Sequence, residues 1–166
     1  MSRRAQAGLL AALALAAIGY WLSTNTATPE QRHIRARLDE FVGEFNAGTT
    51  DGLGTVARAA RIGQFFTPDV VVELGQGSPP IHGRETLIGM STRLQPRTAA
   101  FVLELSDVTI DVLDNTRAEV TFTAVIRRRS FASGDESLDA REFSAELRNA
   151  DGEWRVSRVI AIDTLR

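Results

Sequence analysis

Helical and strand patterns of this sequence meet at Phe65-Phe66-Thr67-Pro68-Asp69-Val70-Val71-Val72-Glu73-Leu74, where an aromatic pair and a Pro-Asp turn lead into β-branched residues. A turn followed by consecutive valines is typical of the start of a strand. The loop Gly75-Gln76-Gly77-Ser78-Pro79-Pro80 comes next, and Ile81-His82-Gly83-Arg84-Glu85-Thr86-Leu87-Ile88 then opens another short helix. Because helical patterns precede this segment and strand patterns follow it, the sequence predicts an α+β domain.

Length and composition fit one globular domain. The chain has 166 residues, of which 43% are hydrophobic and 24% are charged, and these are ordinary values for a folded protein. It contains no cysteine, which excludes disulfides and thiolate metal ligands. All 19 basic residues are arginine, against 21 acidic residues, and no arginine cluster has a phosphate-binding context. We therefore expect no nucleic-acid partner.

The N-terminal segment, residues 1–28, is predicted to precede a domain that occupies residues 29–166. Residues 7–22 carry no charge, are rich in Ala and Leu, and end in Tyr20-Trp21-Leu22. Aromatic residues at the end of an apolar run suit a membrane–water interface, and no good small-residue cleavage site follows. We expect an uncleaved membrane-anchor helix and an extracytoplasmic (periplasmic) domain. The alternatives are a cleaved signal peptide, which gives a secreted protein, and a buried soluble helix.

Three helices are predicted after this segment. Thr28-Pro29-Glu30-Gln31 is a helix start with a capping box, and Gly48 suits the end of that helix. Steps of three and four along it place one apolar stripe at Ile34, Leu38, Phe41, Val42 and Phe45. Arg37 is interpreted as lying off this stripe. A second helix, loosened or broken by glycines, begins near residue 50, and a third follows Gly83.

From Thr98 to Ile162 the pattern has a period of two, which predicts four long antiparallel strands. Apolar residues of the first strand change parity between Leu105 and Val108, so a β-bulge is expected near Ser106-Asp107. The last strand is predicted to carry its apolar face at Trp154, Val156, Ile160 and Ile162. A bent sheet that wraps helices should form a cone with a cavity at its mouth.

These features together resemble the nuclear transport factor 2-like (NTF2-like) superfamily, whose cone-shaped α+β fold is shared by SnoaL-like polyketide cyclases and ketosteroid isomerase. The resemblance covers about residues 29–162 and rests on residues 65–72, Ile81-His82-Gly83-Arg84-Glu85 and Asp151-Gly152-Glu153-Trp154-Arg155-Val156. It implies three N-terminal helices packed in a curved, mostly antiparallel sheet, here preceded by one hydrophobic helix. It does not specify an activity, because this fold hosts both enzymes and non-catalytic adaptors.

Few residues of the predicted domain can carry acid-base chemistry. The only tyrosine, Tyr20, lies in the predicted anchor, so the oxyanion hole of ketosteroid isomerase cannot be assembled in the domain. His82 and Asp163 are the candidate catalytic residues, whereas Asp69 is interpreted as bracing its turn. Two histidines that share no helical face do not predict a metal site, and no cofactor is expected.

The predicted cavity is mainly apolar. Its candidate ligand-pocket residues are Phe66, Phe101, Phe122, Phe143 and Trp154, together with the polar Arg158. The leading hypothesis is a membrane-anchored domain that binds a protein partner or a small hydrophobic ligand, and that forms a homodimer through the sheet. The competing hypothesis is a SnoaL-like isomerase, cyclase or dehydratase in which a cavity carboxylate or His82 abstracts a proton. That hypothesis requires convergent titratable groups in the pocket.

Overall fold

The computed structural model describes residues 27–47, 52–75, 77–93, 99–130 and 133–162. In chain order the elements are α1 (Pro29–Asn46), α2 (Gly52–Gly63), β1 (Phe66–Glu73), β2 (Ile81–His82), α3 (Arg84–Arg93), β3 (Ala99–Val112), β4 (Arg117–Ser130), β5 (Glu136–Ala150) and β6 (Glu153–Ala161). The predicted anchor helix, residues 7–22, lies outside the described residues. None of the helices in the described part of the chain is long and apolar enough to cross a membrane.

The strands form one mixed sheet in the order β2-β1-β6-β5-β4-β3. β1 runs parallel to β6, and the other neighbouring pairs are antiparallel. After β1 the chain forms β2 beside it and then α3, crosses to the far edge of the sheet at β3, and returns strand by strand until β6 lies beside β1. This is the cone-like α+β fold that the sequence predicts.

Helix α1 is fixed at its start by the predicted capping box. The Thr28 hydroxyl accepts a hydrogen bond from the Gln31 main-chain N–H at 3.2 Å, and the Gln31 Oε1 accepts one from the Thr28 N–H at 2.8 Å. Gln31 also donates through Nε2 to the main-chain oxygen of Ile110 at 2.9 Å. The same side chains therefore start the helix and attach it to β3.

Helix α2 is continuous from Gly52 to Gly63, so its glycines do not break it. Contacts with α1 explain this continuity. The Arg58 guanidinium donates to the main-chain oxygens of Glu44, at 2.9 Å, and Phe45 in the last turn of α1. Carbonyls in a last helical turn have no partner inside their own helix, and a cation there is favourable. Arg58 therefore ties α2 to the end of α1 and offsets the weak helix propensity of the glycines.

The predicted β-bulge in β3 is confirmed. The pairing of β3 with β4 shifts register between Ser106 and Thr109, and Asp107 has a positive φ of 51°. An extra residue of this kind reverses which side chains face the core. It allows Leu105 before the bulge and Val108 after it to pack on the same side of the sheet.

A second bulge, which the sequence does not predict, lies at Ser157 in β6. Leu147 pairs with Val156 while the adjacent Glu146 pairs with Arg158, so Ser157 is the extra residue. Ser157 is buried and donates through its hydroxyl to the Glu146 main-chain oxygen at 3.2 Å. After Ser157, each side chain of β6 therefore faces the side of the sheet opposite to the one that regular alternation would give.

The reversal changes the inner face of β6. Val159 and Ala161, instead of Ile160, continue the face begun by Trp154 and Val156. The assignment of Ile160 to that face is therefore wrong.

The core lies where α1 crosses the concave face of the sheet. Ile34 and Leu38 of α1 pack with side chains of β4, β5 and β6, which are Ala118, Val120, Ala145, Leu147 and Trp154. Trp154 is 1% exposed and Ile34 is 0% exposed. The candidate site lies next to this core, between α1 and the same face of the sheet.

Candidate functional site

A cavity of about 210 Å³ lies between α1 and the concave face of the sheet. All but one of the described residues that line it are apolar: Leu38, Phe41, Phe65, Phe66, Val72, Leu87, Leu103, Leu105, Phe122, Ala124, Phe143, Ala145, Leu147, Trp154, Val156 and Val159. The exception is Arg37. The wall is therefore drawn from α1, α3 and five strands.

Most residues of this wall lie at alternate positions along the strands, so that their side chains share one face of the sheet. Leu103 and Leu105 are two residues apart on β3, and each of the next two strands contributes residues at the same spacing. On β6 the spacing is interrupted, because the bulge at Ser157 separates Val156 from Val159 by three residues and keeps both on the wall. The bulge therefore helps to form the cavity.

Aromatic contacts hold the wall in shape. The ring of Phe41 meets Phe65 and Phe66 edge-on, with centroid distances of 5.5 Å and 5.8 Å. Phe122 and Phe143 stack across β4 and β5 with their centroids 5.8 Å apart. Edge-to-face and offset-stacked rings are the favourable aromatic arrangements, so these contacts fix the rings without a ligand.

Arg37 places one guanidinium group at this apolar wall. Its side chain is only 17% exposed, and its guanidinium carbon lies 4.1 Å from the centre of the Phe65 ring. Nη1 donates to a carboxylate oxygen of Glu40 at 2.6 Å, and Nη2 lies 3.6 Å from a carboxylate oxygen of Glu153. Nε is buried and has no hydrogen-bond partner among the described atoms.

The sequence contains a signal for this position, and the interpretation above missed it. Arg37 follows Ile34 by three residues and precedes Phe41 by four, so it lies on the same face of α1 as the apolar stripe. Its assignment off the stripe is corrected by its place in the cavity wall. A charged residue at stripe spacing marks a position where a polar group meets the core.

Four of the six predicted pocket residues line the cavity, and two do not. Phe66, Phe122, Phe143 and Trp154 lie on the cavity wall. Phe101 is half-buried at the far end of β3 and does not line the cavity.

Arg158 instead lies on the opposite face of the sheet. It bonds to the Glu73 carboxylate at 2.7 Å and lies 3.9 Å from that of Glu146. The bulge at Ser157 is the physical reason, because it changes which face each following residue occupies.

His82, one of the two candidate catalytic residues, lies away from the cavity. His82 is exposed on the two-residue edge strand β2, opposite Val71, and does not line the cavity. Asp163 lies outside the described residues. Asp69 is exposed, and the neighbouring Thr67 hydroxyl, its own main-chain N–H and the Arg148 guanidinium 3.3 Å away together lower the pKa of its carboxyl group. It does not line the cavity.

The described wall offers almost only apolar contact. In the described ranges no group of three or more His, Cys, Asp or Glu side chains could hold a metal ion. Among the same residues, no Asp, Glu, His or Tyr side chain lines the cavity. General acid-base catalysis requires a titratable group within hydrogen-bond reach of the reacting atom, and an arginine does not lose its proton in proteins.

Several solved structures share this fold. A candidate scytalone dehydratase from Novosphingobium aromaticivorans has a TM-score of 0.64 and 15% identity, over 82% of this chain and 85% of that one. A ketosteroid isomerase-like protein from Erwinia carotovora atroseptica has a TM-score of 0.60 and 20% identity, over 81% and 96%. The protein Aln2 from a Streptomyces species has a TM-score of 0.65 and 12% identity, over 81% and 91%. At these identities the likeness concerns the fold alone.

Comparison of sequences identifies the family of the chain, which the structural neighbours do not. No curated protein matches the chain at a significant level. The sequence model of the SnoaL-like domain, however, matches residues 56–160, which are more than half of the chain. The protein therefore belongs to the SnoaL-like domain family.

Proposed function

We propose that this protein is a binding protein, which takes up a compact apolar ligand in the cavity between α1 and the sheet. The observation that carries the proposal is the wall itself, in which Arg37 alone interrupts the apolar side chains of the described residues. Burial of apolar surface contributes about 25 cal/mol per Å², so an apolar molecule enclosed by this wall gains affinity over most of its surface. Typical ligand pockets have this composition.

The size of the cavity defines the ligand further. Its volume of about 210 Å³ lies below the roughly 300 Å³ at the lower end of ordinary small-molecule pockets. A molecule of one or two rings therefore matches it better than a steroid or a long acyl chain. The stacked and edge-on Phe rings support a cavity that exists before the ligand arrives.

Calorimetry of the full-length chain with tetralin, an apolar bicyclic hydrocarbon, tests the proposal. Ala124 lines the cavity and is half-buried, so Ala124→Phe should fill part of the space and reduce the affinity for tetralin at least tenfold. Leu113→Phe is the matched control, because Leu113 is 55% exposed and away from the wall, and it should bind as wild type does. Equal binding by wild type and Ala124→Phe, or no binding by either, would overturn the proposal.

The enzyme alternative depends on Asp163. Scytalone dehydratase and ketosteroid isomerase are named among the structural neighbours, and a SnoaL-like isomerase, cyclase or dehydratase would need a proton acceptor beside its substrate. In the sequence Asp163 comes two residues after Ala161, the last residue of β6, and β6 contributes to the wall. Turnover of a cyclic ketone that disappears in Asp163→Ala would favour catalysis over simple binding.

We also propose that residues 7–22 hold the domain at a membrane, with residues 29–166 on the extracytoplasmic side. The charge-free run and its Tyr20-Trp21 end support this placement. A shorter chain that lacks residues 1–28 should leave the membrane fraction, whereas the full-length chain should resist extraction with high salt. Recovery of both chains in the soluble fraction would contradict the anchor.

Self-association through the outer face of the sheet is the last part of the proposal. Val102, Arg127 and Leu138 lie side by side across β3, β4 and β5, and Val102 and Leu138 are 47% and 61% exposed. Exposed apolar side chains on one sheet face are suited to pairing with a second copy. Leu138→Arg should shift the full-length protein from dimer to monomer in sedimentation. A wild-type monomer at micromolar concentration would contradict the pairing.

A further inference from the structure

The concave face of the sheet continues beyond the cavity wall. Leu105, Ala124 and Arg141 are paired side by side on β3, β4 and β5, and the first two of them line the cavity. Directly paired residues point to the same face of a sheet, so Arg141 lies on the concave face. Phe143, two residues further along β5, also lines the cavity. Arg141 therefore borders the apolar wall without belonging to it.

Arg141 lies at the rim, where this wall meets solvent. Its side chain is exposed, and Nη1 donates to the main-chain oxygen of Leu74 at 2.7 Å. Leu74 directly follows β1, whose Val72 also lines the cavity. This bond holds the guanidinium group beside the cavity. It leaves the N–H groups of Nε and Nη2 without a partner among the described residues.

The charges on this part of the concave face leave it positive. Asp139 lies two residues before Arg141, and Arg128 lies on β4 opposite Ser137, which shares that face. Neither Asp139 nor Arg128 forms an ion pair or a side-chain hydrogen bond with a described residue. Two guanidinium groups therefore stand against one carboxylate. Arg128 is roughly 13 Å further along the strands, so Arg141 is the cation that a group at the rim would meet first.

An arginine at the rim of an apolar cavity selects an anion that stays outside the wall. A carboxylate inside the wall would lose its hydration without compensating partners, which is a large penalty. At the rim it would keep much of its water and could accept hydrogen bonds from the unpaired N–H groups of Arg141, in the paired geometry that guanidinium and carboxylate groups favour. A cationic group there would meet a like charge.

We propose that the ligand of this cavity is amphipathic, with a compact apolar body against the wall and a short arm that brings a carboxylate to Arg141 at the rim. This inference rests on the proposed binding function and extends its ligand class by one charged group. Arg141 is then a specificity-determining residue. The apolar wall supplies most of the affinity, and the guanidinium group supplies the preference for an anion.

Three probes with the same phenyl ring and a short arm test the inference: 3-phenylpropionate, 3-phenyl-1-propanol and 3-phenylpropylammonium. Calorimetry with the full-length chain should give roughly fivefold tighter binding of 3-phenylpropionate than of the alcohol, the difference that one exposed charge pair provides at its upper limit. The ammonium probe should bind most weakly. Raising the salt concentration to 1 M shortens the Debye length to about 3 Å, so the preference for the carboxylate should shrink.

Arg141→Gln assigns the preference to the guanidinium group. Glutamine is neutral and keeps an N–H donor, so 3-phenylpropionate and the alcohol should bind this variant with equal affinity. Arg141→Lys keeps the charge and should retain part of the preference. Arg129→Gln is the matched control, because Arg129 lies on the opposite face of the sheet with a 68% exposed side chain. It loses the same charge and should retain the fivefold preference.

Ala124→Phe tests whether the probes occupy the cavity. The added ring should fill part of the space that the phenyl group needs, so all three probes should bind more weakly than to wild type. Unchanged binding of 3-phenylpropionate by this variant would place the carboxylate on the surface of the sheet and would overturn the role of Arg141 at the rim.

The remaining outcomes separate the two proposals. If wild type binds the alcohol or the ammonium probe at least as tightly as 3-phenylpropionate, the assignment of an anionic group is overturned while the binding function stands. If the preference for the carboxylate survives in Arg141→Gln, the role of Arg141 is overturned. If none of the three probes binds, the proposed binding function itself fails.

Discussion

The side chain of Asn46 pairs with the main chain of Leu103 through two hydrogen bonds. Asn46 Nδ2 donates to the Leu103 oxygen at 2.8 Å, and Asn46 Oδ1 accepts from the Leu103 N–H at 2.8 Å. The last residue of α1 thus binds β3 as a neighbouring strand would. Because Leu103 lines the cavity, this pair sets the distance between the helix end and the cavity wall.

Asn46→Ala should destabilise the domain by about 1–3 kcal/mol, because it leaves both main-chain groups of Leu103 without this partner. Denaturant unfolding measures the change. Asn115→Ala, at an exposed turn between β3 and β4, is the control and should stay within about 0.5 kcal/mol of wild type. Equal midpoints for the two variants would show that the pair contributes nothing.

Two glycines should respond to alanine with opposite signs. Gly83, before α3, has a φ of 81°, a conformation that places a Cβ in strain, so Gly83→Ala should destabilise by roughly 1–2 kcal/mol. Gly43 lies inside α1, and a Cβ built there meets no atom within 4 Å. Gly43→Ala should therefore stabilise by about 0.5–1 kcal/mol. Thermal unfolding of both variants checks the signs, and a stabilised Gly83→Ala would contradict the left-handed conformation at that position.

The bulge at Ser157 predicts unequal effects at two adjacent residues of β6. Val159 faces the cavity, so Val159→Asn should bury an amide without partners and lose roughly 1–3 kcal/mol of stability. Ile160 has the opposite parity, and Ile160→Asn should lose less. The denaturant midpoints of the two variants distinguish a bulged β6 from a β6 with regular alternation. A larger loss at position 160 than at 159 would mean that β6 continues in regular alternation.

The β3–β4 turn should contribute to stability in a pH-dependent way. Hydrogen bonds from the Thr116 hydroxyl and main-chain N–H, together with Arg117, hold the pKa of the Asp114 carboxyl group well below its usual range. A group whose pKa is lower in the folded state stabilises above its unfolded pKa of about 3.9, and loses that contribution as pH falls through the folded pKa. Wild type should therefore be more stable than Asp114→Asn at pH 6 to 7.

That difference should shrink steadily below about pH 4, where protonation begins to remove the advantage of the carboxylate. Chemical unfolding of wild type and Asp114→Asn at pH 7, 4 and 2 measures this difference in stability. A stability difference that is the same at pH 7 and pH 2 would contradict the role given to Asp114.

Much of the fold can be predicted from the sequence, because local sequence rules and tertiary packing favour the same structure in these segments. Thr28 and Gln31 form the expected capping box, since its hydrogen bonds join residues three apart and need no distant partner. The bulge near Asp107 is visible because apolar residues change parity across it, from Leu105 to Val108. The sequence can show such a bulge only when the wrong register would expose apolar side chains.

The bulge at Ser157 fails that condition. Residues 159 to 162 are Val, Ile, Ala and Ile, so either parity would turn apolar side chains inward, and the pattern cannot choose between them. The choice comes from the pairing of β6 with β5, which the sequence does not display. The placement of Arg158 follows from the same undetermined register.

Arg37 shows a different limit. Its spacing from Ile34 and Phe41 places it on the inner stripe of α1, yet a long arginine side chain can either cover apolar surface or reach solvent. The contacts that decide come from Phe65 and Glu153, far along the chain. The apolar wall could be predicted from periodicity, whereas its polar group depended on tertiary partners.

The position of a bound apolar probe tests the central claim most directly. In the full-length protein saturated with tetralin, nuclear Overhauser contacts should join the probe protons to Phe41, Phe122 and Val156, which line the cavity from α1, β4 and β6. Contacts to Val102 and Leu138 on the outer sheet face, with none to the cavity residues, would contradict the assignment of this cavity as the binding site.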